Sequence, residues 1–187
     1  MPTARTAAVL LLLTAASGCT GGAGAVDPPL PSTAAGVSPR SGPVAGCTDT
    51  VDRVTGPGDG YRVVAGVVAV PGSDRMLEPL EQSPGDGPAR LFAEWELLVH
   101  TDTTVDLSLL SGWDGRAGIN WGAADVEPAT SVRVVSCGAE PGAGRWVVFT
   151  GGTWVIEPDC VPIRITTATG ETVVELSIGA PCSRPGG

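Results

Sequence analysis

A single histidine, His100, bounds the chemistry open to this 187-residue chain. A Ser-His-Asp or Cys-His arrangement has to draw on it. It sits in ELLVHTD, and no serine of the chain stands in a GxSxG elbow. A solvated strand histidine is the expectation for it. Copper and zinc sites usually use several histidines or closely spaced cysteines, and the chain has no CxxC, so neither metal is expected. Glu94 and Glu96 share one face of a strand about 7 Å apart, whereas glycosidases need carboxyls facing each other across a cleft. Asp114, Asn120, Asp125 and Glu127 offer oxygens to calcium, but their spacing departs from an EF-hand. The GG pairs at Gly21 and Gly151 lack a phosphate loop's lysine and read as tether and hairpin turn. No catalytic residue, metal or cofactor is assigned, and an enzyme is not expected.

The tryptophans are more promising. Trp95, Trp146 and Trp154 fall in apolar runs and belong in a core. Trp113 and Trp121 lie in SGWDGRAGINWGAADVEP, residues 111–128, which reads as a glycine-rich surface loop. Exposed indoles stack on sugar rings or anchor a protein partner. Trp113, Trp121, Arg116 and Asp114 are therefore the candidates for binding, against the alternative that the indoles fold back as a lid on the core.

The elements that hold this loop are strands. Hydrophobic residues make up 42% of the chain and charged residues 17%, with 27 glycines and 17 prolines, a mix that suits short strands and tight turns. Residues 63–70 are apolar on both faces and read as one central strand. In ARLFAEWELLVHTD a helical stripe competes with an alternation of Leu91, Ala93, Trp95, Leu97 and Val99, and the alternation continues into Val105, Leu107 and Leu109. SVRVVSC, RWVVFT, GTWVIEP, CVPIRITTA and ETVVELSIG follow as strands. The last two form a hairpin that aims Val161, Ile163 and Ile165 inward with Val174, Leu176 and Ile178. The sum is an all-β fold, a single β-sandwich of about eight short antiparallel strands, immunoglobulin-like in general architecture.

Cys47, Cys137, Cys160 and Cys182 make an even set, and two disulfides follow as the default, with three connectivities open. The preferred pairing joins Cys137 to Cys160 across the RWVVFT and GTWVIEP hairpin, and Cys47 to Cys182 between the ends of the domain.

At the N-terminus Arg5 precedes an apolar run from Ala7 to Leu13, too short to span a bilayer, and then TAASGC. Ala16, Ser17, Gly18 and Cys19 resemble the lipobox of bacterial lipoproteins, with Ala16 where that family prefers a larger aliphatic residue. The resemblance implies cleavage before Cys19, acylation of its thiol, and a place at the outer face of the cytoplasmic membrane. Residues 1–18 are then a signal peptide, 19–45 a lipidated, Gly/Pro/Ala-rich disordered tether, and 46–187 the β-sandwich domain. All 11 basic residues are arginine, against 20 acids, for a net charge of -9. Such a surface disfavours nucleic acid, and it disfavours membrane contact other than through the lipid. The phrases GYRVVAGVVAVP, ARLFAEWELLV, INWG, FTGGTWV, DCVPIRI and IGAPC resemble a group of secreted or lipid-anchored proteins of high-GC actinobacteria. That resemblance implies an extracytoplasmic, β-rich, disulfide-bonded domain and transfers no catalytic residue. The expected function is a non-catalytic binding or accessory module of the cell envelope whose partner is an envelope protein or, alternatively, a wall glycan or small ligand.

Overall fold

The structure, a computed structural model, describes residues 42–83, 90–122 and 127–182. The expected signal peptide, Cys19 and the expected tether up to residue 41 lie outside the described residues. The strands are β1 (Val44–Ala45), β2 (Thr50–Val54), β3 (Tyr61–Val64), β4 (Val68–Pro71), β5 (Met76–Leu77), β6 (Leu80–Gln82), β7 (Arg90–His100), β8 (Thr104–Leu109), β9 (Ala117–Trp121), β10 (Ser131–Val135), β11 (Trp146–Val155), β12 (Asp159–Thr167) and β13 (Gly170–Ile178). One sheet runs β1-β10-β8-β12-β13-β5, the other β2-β11-β7-β4-β3, with β6 added to β7 and β9 to β11. The all-β class stands, with thirteen described strands where the sequence predicted about eight. Val44–Ala45, assigned by sequence to the end of the tether, pairs in parallel with β10.

The spine of the second sheet is the antiparallel β7/β11 ladder, which runs unbroken from Trp146 opposite His100 to Val155 opposite Leu91. On β7, Ala93, Trp95, Leu97 and Val99 are buried while Glu94 and Glu96 are exposed, the alternation read from the sequence. They join Val105, Leu107, Val132, Val134, Ile163 and Leu176 of the first sheet in one core cluster. The β12/β13 hairpin has the predicted faces: Val161 opposes Leu176 and Ile163 opposes Val174, all fully or nearly fully buried.

Two strand assignments need correction. Residues 61–71 are a hairpin and not one central strand. Ala65 (φ 50°) and Gly66 (φ 72°) are both left-handed, and Val67 N–H donates to the Val64 carbonyl at 3.2 Å. That is a type I′ turn, whose twist matches paired strands. The apolar run hid it because valines flank the turn on both sides. RWVVFT and GTWVIEP, read as two strands of a hairpin, are the single ten-residue strand β11. Gly151 and Gly152 lie in its middle because neighbouring strands crowd it. A Cβ at Gly151 would stand 2.1 Å from the Asn120 carbonyl oxygen and 2.5 Å from Trp121 Cδ1. At Gly152 it would stand 2.2 Å from the Ala93 carbonyl oxygen. Gly151 is level with Trp95 on β7 and Trp121 on β9. The two indoles meet edge to face over it, 4.7 Å apart, and Trp95 Nε1–H donates to Thr153 Oγ1 at 3.0 Å.

The long β11 also explains the disulfides, which join Cys47 to Cys137 and Cys160 to Cys182. All four cysteines are bonded, but neither predicted pairing occurs. Ten strand residues span about 33 Å, so β11 carries Cys137 and Cys160 to opposite ends of the domain. β1 instead runs beside β10, with Val44 opposite Arg133, and delivers Cys47 to Cys137 with Cα atoms 5.3 Å apart. Asp159 opposite Ile178 places the start of β12 beside the chain's last described residues, and the Cys160 and Cys182 Cα atoms lie 4.8 Å apart.

Candidate functional site

β8 ends at Leu109, and residues 110–116 carry the chain from the first sheet into β9 of the second. Left-handed Gly112 (φ 89°) and Gly115 (φ 77°) supply backbone angles that larger residues resist. The turn is closed by its own backbone: Trp113 N–H donates to the Leu110 carbonyl at 3.3 Å, and Arg116 N–H donates to the Trp113 carbonyl at 3.0 Å. A further bond from Ile156 N–H to the Arg116 carbonyl, 3.1 Å, ties it to the bend between β11 and β12. This turn holds three of the four predicted binding residues.

Trp113 is partly buried, one side packed on the main core, while Asp114 and Arg116 are exposed. The Arg116 guanidinium stands 4.4 Å from the centre of the Trp113 ring, a cation-π distance. Its Nη2–H also donates to Asp159 Oδ2 at 2.6 Å. Asp159 Oδ1 accepts from the Cys160 amide at 2.8 Å, so the carboxylate is fixed at the mouth of β12. The indole is thus held between core and guanidinium, and the guanidinium between indole and carboxylate. Asp159 was not foreseen; it lies 43 residues from Arg116, and strand pairing brings the two together, Ala117 of β9 opposite Val155 of β11 and Leu109 of β8 opposite Ile163 of β12.

Trp121 does not belong to this site. It is 3% exposed, in β9, a strand whose five residues are all buried, and the predicted surface loop is to that extent a core strand. Asn120, weighed for calcium, is buried in the same strand, and Asp125 lies outside the described residues. Trp95, Trp146 and Trp154 are also buried, so Trp113 is the one tryptophan of five that is more than marginally exposed. Beside the turn an open groove of about 430 Å³ is lined by Glu81, Arg90, Leu91, Ile156, Glu157 and Pro158. Leu80 (67% exposed) and Ile156 (53%) are among the most exposed large apolar residues described.

The remaining candidates lie elsewhere. His100 is half-buried and stands edge to face with Trp146, ring centres 5.6 Å apart, where a solvated histidine was expected. The cause is a second apolar cluster on the outer face of the second sheet, built on Ala69, Leu98, Trp146 and Val148 with Val54 and Tyr61 at its rim. Burial, and then the nearby Glu96 carboxylate, push the Tyr61 phenol above its usual pKa, although Arg75 lies over its ring. Cys160, Glu175 and Cys182 form a compact group of metal-ligating residue types. The two sulfurs are spent on their disulfide, so no ligand set remains there.

No family model and no curated protein matches this sequence. A solved structure described as the apo PmoF2 PCuAC domain aligns with 66% of this chain and 96% of its own, at 14% identity and a TM-score of 0.34. A likeness at that level assigns neither family nor activity to this chain.

Proposed function

We propose that this chain is a lipid-anchored, extracytoplasmic binding module of the cell envelope, non-catalytic, that holds an envelope protein through the turn carrying Trp113, Asp114 and Arg116. Lipidation of Cys19 rests on the lipobox resemblance. Export is supported by two disulfides, which persist in oxidising compartments. We read the scaffold as a curled β-sandwich, immunoglobulin-like only in that two sheets share one core. The observation that carries the binding reading is the stacked Trp113–Arg116 pair on a rigid, exposed turn. Tryptophan and arginine dominate the energetics of protein interfaces, and a pre-ordered pair loses little entropy on binding.

The alternative, a wall-glycan module with Trp113 as stacking platform, has less support. Sugar stacking needs an open ring face, whereas Arg116 covers one side of Trp113 and the core packs on the indole. Titration with soluble wall fragments separates the two. Trp113 fluorescence stays constant at millimolar glycan if the partner is a protein, and saturable quenching lost in Trp113→Phe supports the glycan reading instead.

A further inference from the structure

We infer that Arg62 guards an open sheet edge: its guanidinium caps the exposed backbone of β13 and keeps a second copy of this chain from adding its own β13 there. Among the described residues, β13 pairs with β12 along its whole length but with β5 only at Ser177 and Ile178. In a strand the backbone groups of alternate residues point to the same side. Gly179 N–H donates to the Leu77 carbonyl at 2.8 Å, and the Glu175 carbonyl accepts from Arg62 Nη2 at 2.9 Å, so the odd-numbered residues face outward. The N–H and carbonyl groups of Glu171 and Val173, and the N–H of Glu175, therefore have no neighbouring strand among the described residues. Val173 beside them is 46% exposed, in the β-prone run TVVEL. Such an edge is a template for strand addition.

Arg62 stands where a cap can reach. β3 is the edge of the second sheet, and Val64, buried in the core, fixes the inward face that Arg62 shares. From there the side chain crosses to the edge of the first sheet, 113 positions away in the chain. Its Nε is buried and has no hydrogen-bond partner among the described residues. Burial, offset in part by the Glu175 carboxylate, pushes the guanidinium below its usual pKa. A cation desolvated in this way contributes little to stability, whereas an inward charge on an edge strand blocks pairing with another chain. Two glutamates reinforce the block. In an antiparallel pairing of two β13 strands centred on Val173, Glu171 of one copy falls opposite Glu175 of the other, and both are exposed.

The test is intermolecular disulfide trapping in the full-length chain carrying Val173→Cys. In that antiparallel pairing position 173 faces its own copy with Cα atoms about 5.5 Å apart, within disulfide reach. With Arg62 in place the chain stays monomeric on non-reducing gels. Arg62→Met raises the dimer about tenfold, the factor that one hydrogen bond to a charged group is worth, and leaves Tm unchanged or higher. Arg62→Lys, which keeps a cation at the edge, stays monomeric. Adding Glu175→Gln to Arg62→Met raises the dimer further, whereas Glu175→Pro, which removes the same charge and also an outward N–H, abolishes it. An Arg62→Met chain that stays monomeric, whatever its Tm, or a dimer that Glu175→Pro leaves intact overturns the inference. So does a Val173→Cys chain that dimerises as readily with Arg62 present.

Discussion

Replacing Gly151 by alanine tests the packing at the centre of the domain. The new methyl would stand 2.1 Å from the Asn120 carbonyl oxygen and 2.8 Å from Trp121 Cα, both backbone atoms that no rotamer change can move. β9 must then draw away from β11, loosening a five-pair ladder and the Trp95–Trp121 contact. Overpacking alone costs about 1–3 kcal/mol, and two weakened ladder hydrogen bonds add about 1 kcal/mol each. A loss of about 3–5 kcal/mol follows, which for a domain near 140 residues lowers Tm by about 10–17 °C. The assay is thermal unfolding with the disulfides intact, followed by near-ultraviolet circular dichroism, where the edge-to-face indoles contribute. Gly56→Ala is the control, since a Cβ there meets nothing within 4 Å. A Gly151→Ala protein that melts within 2 °C of wild type, with its near-ultraviolet spectrum unchanged, refutes the reasoning.

The disulfides differ in the loops they close, 90 residues for Cys47–Cys137 and 22 for Cys160–Cys182. Chain entropy gives about 4.6 and 3.4 kcal/mol, so removing the first pair by alanine destabilises more, by about 1 kcal/mol, in denaturant titration. Peptide mapping without reductant should recover 47 with 137 and 160 with 182. Acrylamide should quench one class of indole, and Trp113→Phe should abolish most of that quenching, because the other four tryptophans are at most 9% exposed. The Tyr61 phenol has a folded pKa above its ordinary 10, so its contribution is fully present below pH 10 and is lost as pH rises through the folded value. Urea midpoints should fall in that alkaline window, and Tyr61→Phe should flatten the fall.

The sequence was most informative where alternation was strict. β7 and the β12/β13 hairpin were legible down to their inward faces, because a one-residue slip would have exposed every valine, leucine and isoleucine. It misled where glycine and tryptophan play roles that composition does not distinguish. Gly151 and Gly152 look like a turn, yet they keep a strand flat enough for its neighbours to approach. Ala65-Gly66 looks like strand interior, yet it makes the turn. Trp121 sits among glycines and reads as exposed, but those glycines include Gly118, where a Cβ would fall 2.5 Å from Pro128 Cβ in a buried strand. The cysteine pairing depended on the length of β11 and the parallel placement of β1, neither of which a spacing pattern encodes. Of the candidate site, Trp113, Asp114 and Arg116 were legible as a loop rich in interaction-prone residues. Asp159 was not, since its role exists only through strand pairing.

The most direct test of the binding surface is affinity capture of the lipid-anchored protein from gently solubilised membranes, comparing wild type with Asp114→Arg and Trp113→Ala. The account predicts a stoichiometric envelope protein with wild type that is lost with Asp114→Arg, whose exposed side chain leaves the fold intact, and with Trp113→Ala. A partner retained at full stoichiometry by both variants, or a wild-type protein that purifies alone, contradicts it.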